Sequence, residues 1–593
     1  MVALCSLIPS AGYTEDCLMG RYSPDQRSYT SEHLKLPVSL NWEFAGTKSA
    51  GNEASPILVG DKCYFAGGDQ IYAVDLESGR MLWKYPGNQP LSNTVKCTPT
   101  YFDGSLYFGC GDGNLYCIDA QSGTFQWAYQ TRGAIRCPTV VYEGVVYVGT
   151  DDNSVYAIDA QTGESVWKRP FATKDDIEYG LAVGLGMVVV SSMDGNLYGI
   201  SASTGALIWI KRLPAAPVCT SPILADSLLI MAVGDSVYGF TARSGQMRWV
   251  INMRAEVGST PACDSDSLYV ACRDKKIYSY KLTGRQPVVK WTAPADFGSL
   301  PMSSPVVADD TLYITGSKGL VAAYSLDGGA MRWRYMIGPS AGLGKAYTDA
   351  SSSPTIANGN LLVLTDDGVL HCFSSAAPDS EKPQVFDKKP QNGYAISDCP
   401  PFKISAIVYD IGSGVDFSTV SLSLDGQSVD YDVDFSTSTL TAIYGSSSEG
   451  QPVRKLSTGV HTIRLLGKDY AGNVMDEQWF FYADSSLPPP KQPTADTGKR
   501  TKDPVTGQPG VNPNTNPNNN PNNNPNNNPN PGWGGRGGRG GRGGYGGRGG
   551  YGGYGGGYGG SGSGSPPTPP FMPPGSRTPL GPGGYGSDVI LSN

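Results

Sequence analysis

The sequence predicts an all-β protein whose larger part is a ring of repeated four-stranded units. Two observations carry the prediction: a tryptophan returns every 40 to 44 residues, and each interval repeats the same order of short apolar runs and turns. A third observation is that the last unit lacks one strand, which a segment near the N-terminus can supply. The repeated tryptophans are Trp42, Trp83, Trp127, Trp167, Trp209, Trp249, Trp291 and Trp333.

The interval "TPTYFDGSLYFGCGDGNLYCIDAQSGTFQW" (98–127) shows the order of elements in one unit. A Thr-Pro or Ser-Pro pair opens a short apolar run, and polar turns then separate a second and a third run. Alternating apolar residues between Gly, Asp and Asn turns predict antiparallel strands joined by hairpins. The last turn ends in a glycine suited to positive φ, here Gly123, and the tryptophan follows on the predicted fourth strand, where it can fill the gap to the next unit.

The number of units predicts how the ring closes. Seven complete units end at Trp83 through Trp333, and an eighth, "SSPTIANGNLLVLTDDGVLHCFS", supplies three strands without a tryptophan. The stretch "VSLNWEFAG", which carries Trp42, precedes the first complete unit and can pair with the eighth. Stacking the units radially protects their edges. We therefore expect an eight-bladed β-propeller over residues 37–375, closed by the N-terminal strand.

The unit pattern A-x-D-x-x-[ST]-G-x-x-x-W, written here as "AVDLESGRMLW" and "AIDAQTGESVW", resembles the repeat of the quinoprotein (PQQ-like) propeller family. The resemblance implies one of two functions. Some relatives are dehydrogenases that hold pyrroloquinoline quinone with calcium, and others are non-enzymatic scaffolds such as the lipoprotein that assists outer-membrane protein assembly. The dehydrogenases share a pair of adjacent cysteines, which this chain lacks, and the units here are uniformly short. We therefore expect a scaffold with no catalytic residues and neither cofactor, with the dehydrogenase as the alternative.

Loops that precede the first strand of each unit are expected to cluster at one mouth of the central channel. Their charged residues form the candidate binding site, although solvated loop charges are the simpler interpretation. None of the Asp-Gly turns matches the calcium loop D-x-[DN]-x-[DN]-G-x5-E, so we interpret these turns as structural. The candidate residues are Lys96, Arg136, Glu178, Arg254, Glu256, Lys345 and Asp349.

Composition excludes several other function classes. The formal net charge of −8 argues against a globular nucleic-acid binder, which usually presents a basic face. The three histidines, His33, His371 and His461, are far apart and share no ligand spacing, which argues against a histidine metal site or a serine-histidine relay. The twelve cysteines form no CxxC pair, and buried free thiols are the favoured interpretation, with the disulfide state left open.

The C-terminal part is expected to add a second module and a tail. After a polar linker at 376–391, residues 392–484 alternate in the manner of an antiparallel sandwich, and "DIGSGVD", "LDG" and "KDYAGN" resemble bacterial Ig-like or fibronectin-like modules. Trp479 is expected in its core. Residues 485–593, rich in Pro, Asn and Gly with RGG and YGG repeats, are expected to be disordered. A spacer or self-associating tail is favoured over RNA binding, which remains the second alternative.

The sequence also gives an expectation about location. No apolar run reaches the roughly 18 residues that a membrane-spanning helix needs. Residues 1–36 form an N-terminal segment whose opening, "MVALCSLIPSAGY", is a poor export signal as it stands, and we consider it the remnant of one. We expect a non-enzymatic scaffold for protein or glycan partners outside the bacterial cytoplasm, in the periplasm, on the cell surface or secreted.

Overall fold

The computed structural model describes residues 16–48, 54–216, 220–283, 285–338, 347–445 and 455–489. Compactness divides the chain into one unit at Met1–Gly498 and a second at Lys499–Asn593, and the second unit lies outside the described residues. The described part is all-β, as the sequence predicts, with one short 3-10 helix at Ser317–Gly319. The expectations for the disordered tail after residue 489 and for the opening residues 1–15 also fall outside the described residues.

Eight small antiparallel sheets follow one another along the first 374 residues. The first contains β3 (Ile57–Val59), β4 (Lys62–Gly67), β5 (Gln70–Asp75) and β6 (Met81–Tyr85), and the second contains β7 (Thr100–Phe102), β8 (Ser105–Gly109), β9 (Asn114–Asp119) and β10 (Phe125–Gln130). The third contains β11 (Val140–Tyr142), β12 (Val145–Thr150), β13 (Ser154–Asp159) and β14 (Phe171–Ala172), and the fourth contains β15 (Leu181–Gly184), β16 (Met187–Ser192), β17 (Asn196–Ser201) and β18 (Leu207–Arg212).

The remaining four sheets include two strands from near the N-terminus. The fifth contains β19 (Ile223–Ala225), β20 (Leu228–Val233), β21 (Ser236–Thr241) and β22 (Gln246–Asn252), and the sixth contains β23 (Ala262–Cys263), β24 (Ser267–Cys272), β25 (Lys276–Lys281), β26 (Val288–Val289) and β27 (Ala295–Asp296). The seventh contains β1 (Tyr29–Thr30), β28 (Val306–Ala308), β29 (Thr311–Thr315), β30 (Leu320–Ser325) and β31 (Met331–Met336), and the eighth contains β2 (Ser39–Ala45), β32 (Thr355–Ala357), β33 (Asn360–Leu364) and β34 (Val369–Ser374).

Burial falls from the first three strands of a sheet to the fourth. In the second sheet, β8 is buried along its whole length, whereas β10 is largely exposed. First strands of neighbouring sheets contact each other, for example β7 with β11, β11 with β15 and β15 with β19, and β3 of the first sheet contacts β32 of the eighth. The eighth sheet takes β2 as its outer strand, with Trp42 opposite Cys372 in the register. The sheets therefore form a ring whose first and last members meet.

Six of the eight repeated tryptophans join their own sheet to the next one through a hydrogen bond. The indole N–H groups donate to backbone carbonyl oxygens in the turn before the next fourth strand, as in Trp127 to Ala160 at 3.2 Å and Trp167 to Ala202 at 2.8 Å. The turn glycine lies against the same indole face: a Cβ built on Gly163 would be 2.8 Å from the Trp127 ring. The tryptophans that make this bond to the next sheet are Trp42, Trp83, Trp127, Trp167, Trp209 and Trp291.

Two tryptophans differ from the expectation that all lie on a fourth strand. Trp167 and Trp291 occupy bends between short strand segments. Pro170 comes just before β14 and Pro294 just before β27. Because proline has no N–H to donate to a ladder, the outer strand is interrupted at these two places. Both indoles nevertheless keep their hydrogen bonds to the next sheet.

The N-terminal segment at residues 16–32 runs around the inner strands of the ring. Cys17 pairs with Leu58 of the first sheet, and the carbonyl oxygen of Leu18 accepts from the second sheet. The carbonyl oxygens of Pro24, Asp25, Arg27 and Ser28 then accept N–H groups from the inner strands of the fourth, fifth, sixth and seventh sheets, at 2.8 to 2.9 Å. The sequence predicts that the propeller starts at residue 37. That boundary leaves out residues 16–32, which bind the inner strands of the ring.

Residues 384–484 form two further sheets that share one core. The first contains β35 (Gln384–Lys389), β37 (Phe402–Tyr409), β40 (Asp432–Asp434) and β41 (Thr439–Tyr444), and the second contains β36 (Ala395–Ser397), β38 (Val415–Leu424), β39 (Gln427–Ser428), β42 (Gly459–Asp469) and β43 (Val474–Asp484). Side chains of both sheets, including Ile404, Leu440, Ile463 and Phe481, meet between them. Trp479 lies in this core and is 2% exposed. We call these two sheets the sandwich.

The sandwich packs directly on the seventh and eighth sheets of the ring. The Trp333 indole N–H donates to the Ser413 carbonyl oxygen at 2.8 Å, and the Tyr335 hydroxyl donates to the Ile411 carbonyl oxygen at 2.7 Å. The backbone N–H of Leu40 donates to the Gly412 carbonyl oxygen at 3.1 Å. The loop at residues 410–414 thus accepts the indole hydrogen bond of Trp333, whereas the tryptophans named above donate theirs to the next sheet.

Among the described residues, no helix is long and apolar enough to cross a membrane.

We expect Gly163→Ala to lower the thermal unfolding midpoint more than Gly186→Ala. Both glycines have φ near 70°, at 72° and 74°, so both substitutions place alanine in the left-handed region, which costs about 1–2 kcal/mol. Only Gly163 has a Trp127 indole within 2.8 Å of the new Cβ, whereas Gly186 has open space, and such overpacking adds about 1–3 kcal/mol. Differential scanning fluorimetry measures both midpoints. Equal losses would contradict the packing role of the indole.

Candidate functional site

A cavity of about 270 Å³ lies where the inner ends of the eight sheets converge. Its wall is built from the residues that come just before the first strand of each sheet, and these residues recur at the same place in every unit. Successive units therefore place side chains at the same height around the axis, in two tiers. The upper tier is Lys96, Arg136, Glu178, Gly258, Met302 and Ser351, and the lower tier is Ser55, Thr98, Pro138, Gly180, Ser221, Thr260, Ser304 and Ser353.

The lower tier is tied together by hydroxyl groups. The backbone N–H of Ser221 donates to the Thr260 hydroxyl at 2.8 Å, and that of Thr260 donates to the Ser304 hydroxyl at 3.2 Å. The same bond from the Ser353 N–H to the Ser55 hydroxyl, at 3.1 Å, joins the eighth sheet to the first. The Ser-Pro and Thr-Pro pairs of the sequence thus supply the acceptors that satisfy buried backbone donors at the axis.

The N-terminal segment forms the floor of the cavity through Gly20, Arg21 and Gln26. The Arg21 guanidinium donates to the Gln26 carbonyl oxygen at 2.9 and 3.0 Å and to the Pro261 carbonyl oxygen at 2.5 Å. Burial lowers the pKa of Arg21 to about 9. The guanidinium therefore keeps its positive charge at neutral pH, at the closed end of the cavity.

The rim of the cavity carries further arginines beside carboxylates. Arg136 lies 3.1 Å from Asp151 and 3.7 Å from Glu178, and Arg273 lies 3.2 Å from Glu256. Burial raises the pKa of Asp151, and the neighbouring Arg136 opposes that shift. Lys96 is exposed and makes no ion pair within the described parts of the chain. The rim therefore presents one free ammonium group and two guanidinium groups that are already paired.

The structure brings together only some of the residues predicted for the channel mouth. Lys96, Arg136 and Glu178 line the cavity, and Glu256 reaches its rim through Arg273. Arg254 instead lines a separate cavity beside Trp291. The Asp349 carboxylate accepts the backbone N–H of Lys318 at 2.7 Å and does not line the cavity, and Lys345 lies outside the described residues.

Sequence reasoning missed Arg21 and Arg273. Arg21 comes from a segment without a repeat pattern. Arg273 lies in a hairpin turn and covers Gly258, where a Cβ would be 3.2 Å from its Nε atom. The one sequence feature that pointed to Arg273 was Gly258. Other units carry a side chain at this upper-tier position, so the glycine leaves space for a side chain from elsewhere.

The histidines and the candidate metal-binding groups of the described residues do not line the cavity. The three histidines lie elsewhere, each beside a carboxylate: His33 with Asp309, His371 with Glu43 and His461 with Asp425. Within the described ranges, the two groups of residues that could hold a metal ion are His33 with Asp309 and Asp310, and Asp379 with Asp410 and Asp469. Neither group lines the cavity.

The ten described cysteines are free thiols, and nine of them are buried. Burial raises the pKa of the Cys97 and Cys137 thiols, which lie next to the lower tier, to about 12. A thiol with so high a pKa is a poor nucleophile at neutral pH. These cysteines therefore act as small apolar core residues.

A ring of four-stranded sheets around an axial cavity defines the protein as a β-propeller of PQQ-like repeats. The family model described as outer membrane protein assembly factor BamB matches residues 67–177, 154–286 and 224–401, which together exceed half of the chain. The chain belongs to this family. The resemblance seen in the sequence is thereby confirmed.

Curated proteins match over shorter segments. The dehydrogenase subunit of the quinone alcohol dehydrogenase of Gluconobacter oxydans (strain 621H) is 32% identical over 119 residues, 19% of this chain and 16% of that protein. Quinohemoprotein alcohol dehydrogenase ADH-IIG of Pseudomonas putida is 31% identical over 120 residues, with the same two coverages. This chain therefore matches only a minor part of the length of these relatives.

Two solved structures are also similar. BamB from Moraxella catarrhalis aligns over 57% of this chain and 100% of its own, with 17% identity and a TM-score of 0.44. Quinohemoprotein alcohol dehydrogenase from Comamonas testosteroni aligns over 64% of this chain and 83% of its own, with 13% identity and a TM-score of 0.49.

We expect a thiol-exchange reagent to label few cysteines in the native protein at mildly alkaline pH. Nine described thiols are buried, which leaves Cys399 with Cys5 and Cys219, the two cysteines outside the described residues. Native protein should therefore react rapidly at three thiols at most. Unfolding in guanidinium should expose the others. Cys399→Ser should remove one rapidly reacting thiol and Cys137→Ser none, and rapid reaction of more than three native thiols would contradict the buried assignment.

Proposed function

We propose that the protein is a non-enzymatic scaffold that binds a protein partner at the open mouth of an eight-bladed propeller. The observation that carries the proposal is the axial cavity, which the N-terminal segment closes at its base and Lys96, Arg136 and Arg273 surround at its rim. Eight blades are supported by the eight sheets and by the contact between the first and the last. A pocket closed at one end suits the insertion of a partner's segment better than passage through the ring.

The charges of the pocket define the chemistry of that segment. Arg21 at the floor and Lys96 at the rim carry positive charge that no described carboxylate contacts directly. The serine and threonine hydroxyls between them can donate hydrogen bonds to an acceptor. An extended peptide that ends in, or carries, a carboxylate satisfies both requirements. A glycan with an acidic group is the other occupant of similar chemistry.

The cavity does not fit quinone chemistry with calcium. Calcium in proteins takes six to eight oxygen ligands, mainly from carboxylates and carbonyls. Among the described carboxylates near the cavity, Glu178, Glu256 and Asp151 are each paired with an arginine, and Asp366 accepts hydrogen bonds from the Ser351 N–H and hydroxyl at 3.2 and 2.9 Å. Tyr179 is the aromatic residue in the described lining, so a flat quinone would have little aromatic surface on which to stack. The dehydrogenase alternative is supported only by the partial matches to quinone alcohol dehydrogenases.

The other parts of the chain complete the proposal. We assign residues 392–484 as an Ig-like module held on the ring and residues 485–593 as a flexible spacer or self-associating tail. We place the protein outside the bacterial cytoplasm, as a component of the periplasm or the cell surface. RNA association would depend on the RGG tail, and nothing in the described ring or sandwich favours it.

We expect the double variant Lys96→Glu/Arg273→Glu to lose the partner. Two photo-crosslinking variants of the full chain, one with the crosslinker at Met302 in the cavity and one at Met331 on the outer strand, are exposed to envelope extract of the producing organism. The Met302 variant should form one adduct of defined mass, and the charge reversal should reduce its yield at least about tenfold, a loss of about 1.4 kcal/mol in binding. Added salt should weaken the adduct because the contact is electrostatic.

A matched control tests whether the loss of the adduct is specific to the channel mouth. Arg80→Glu/Arg248→Glu changes the net charge by the same amount at exposed positions on the outer side of the ring, and the adduct should persist. Protease or glycosidase treatment of the adduct identifies the occupant as a protein or a glycan. Equal capture at Met302 and Met331, or loss of the adduct in both double variants, would contradict a site at the channel mouth.

We expect pyrroloquinoline quinone to produce no saturable heat when titrated into full-chain protein in saturating calcium. A dye-linked alcohol oxidation assay of the same sample should show no turnover, because Glu178, Glu256 and Asp151 are paired with arginines and the remaining carboxylate near the cavity, Asp366, supplies too few ligands for the cation. Saturable binding together with turnover would contradict the scaffold proposal and support the dehydrogenase alternative. Arg21→Met should then abolish the binding if the quinone occupies the cavity.

A further inference from the structure

Three carboxylates converge where the sandwich meets the ring, away from the channel. Asp379 belongs to the linker after the eighth sheet, Asp410 follows β37, and Asp469 ends β42. One oxygen atom of each lies within 4.8 Å of the others. Asp410 and Asp469 are 3% and 2% exposed.

The neighbours of this cluster supply hydrogen bonds but no positive charge. Asp469 accepts from the backbone N–H and the side-chain amide of Asn473, both at 2.8 Å, and Asp379 accepts from the Ser413 N–H at 2.8 Å. Within the described parts of the chain, no lysine, arginine or histidine forms an ion pair with any of the three carboxylates. Three negative groups are therefore held together without a visible counter-charge.

Asp410 carries the second, independent observation. Its Oδ2 atom accepts the Gly414 N–H at 2.8 Å, whereas its Oδ1 atom is buried without a hydrogen-bond partner. Buried polar atoms are nearly always satisfied, so this atom has a coordination position left for a water or an ion. Burial, and then the charges of Asp379 and Asp469, raise the pKa of Asp410 to about 7. The negative charge of Asp410 is thus unfavourable in this cluster, and a bound cation or a proton relieves it.

The distances in the cluster permit a shared calcium ion. Calcium lies about 2.3–2.6 Å from its oxygen ligands, so two ligands on opposite sides of the ion are about 4.6–5.2 Å apart. The three oxygen atoms lie within 4.8 Å of one another, so none of them is too far from the others to share one ion. Gly412 makes room for the site: a Cβ there would lie 2.2 Å from the Asp379 carboxyl carbon. A side chain at this position would displace one of the three carboxylates.

We propose that Asp379, Asp410 and Asp469 bind one calcium ion that fixes the sandwich to the propeller. The ligands come from the linker and from two loops of the sandwich that face the ring. The loop at 410–414 also receives the hydrogen bonds of Trp333 and Tyr335. The bound ion therefore holds together the linker, the two loops and, through the 410–414 loop, the outer strand of the seventh sheet. The sequence stretches "DIGSGVD" and "KDYAGN" supply two of the three ligands.

Calorimetric titration of calcium chloride into full-chain protein stripped with EDTA tests the site. The parent protein should bind one calcium per chain at this cluster, and calcium should raise its thermal unfolding midpoint. Asp410→Asn and Asp469→Asn should each weaken calcium binding at least tenfold and abolish the rise. Asp309→Asn, in the exposed His33 group, is the matched control and should leave both readouts unchanged.

Thermal unfolding of the EDTA-treated variants distinguishes the loss of calcium binding from a general loss of stability. Without calcium, Asp410→Asn should unfold at or above the temperature of the parent, because asparagine can still accept the Gly414 N–H while the repelled charge is gone. The proposal is overturned if the parent binds no calcium, if Asp410→Asn binds it as tightly as the parent, or if both cluster variants fail to fold in EDTA.

Discussion

The pairing of β2 with β34 is the constraint on which the rest of the structure depends. A four-stranded sheet of this size cannot cover both of its faces, so every sheet needs a neighbour on each side. Strand β2 completes the eighth sheet, and its Trp42 donates to the Leu76 carbonyl oxygen of the first sheet at 2.7 Å. The chain thereby gives the first and last sheets the neighbours they would otherwise lack. The residues at the axis come into register only because this ring is complete.

One sheet-to-sheet contact is replaced by a contact with the sandwich. Trp333 is fully buried, and its indole N–H reaches Ser413 of the sandwich instead of a turn of the eighth sheet. The eighth sheet has no such turn to offer, because its outer strand comes from the N-terminal side of the ring. The sandwich fills that place, and its position is determined by buried hydrogen bonds as well as by the linker.

The N-terminal segment makes the two ends of the axial cavity different. By following the inner strands of most of the sheets, the segment closes one end and places Arg21 at the bottom. The opposite end keeps the charged side chains of the upper tier. The pocket therefore has a buried guanidinium at its base and serine and threonine hydroxyls on its wall.

The sequence by itself determined the features that are local and periodic. Tryptophan spacing, turn glycines and alternating runs predicted the all-β class and the family. The shared repeat position of Lys96, Arg136 and Glu178 predicted that these three would meet. Each of these features depends on interactions within one unit or between adjacent units, and such interactions leave a regular pattern.

Only the tertiary structure decided what distant segments bring together. Arg21 lies at the floor because a segment without a pattern binds the inner strands, and Arg273 lies at the rim because Gly258 leaves room for it. Arg254, predicted for the same mouth, lines another cavity. The three aspartates of the calcium site come from a linker and two loops that are separated along the chain. These positions depend on packing between segments that are distant along the chain. Such packing leaves no periodic pattern in the sequence from which it could be predicted.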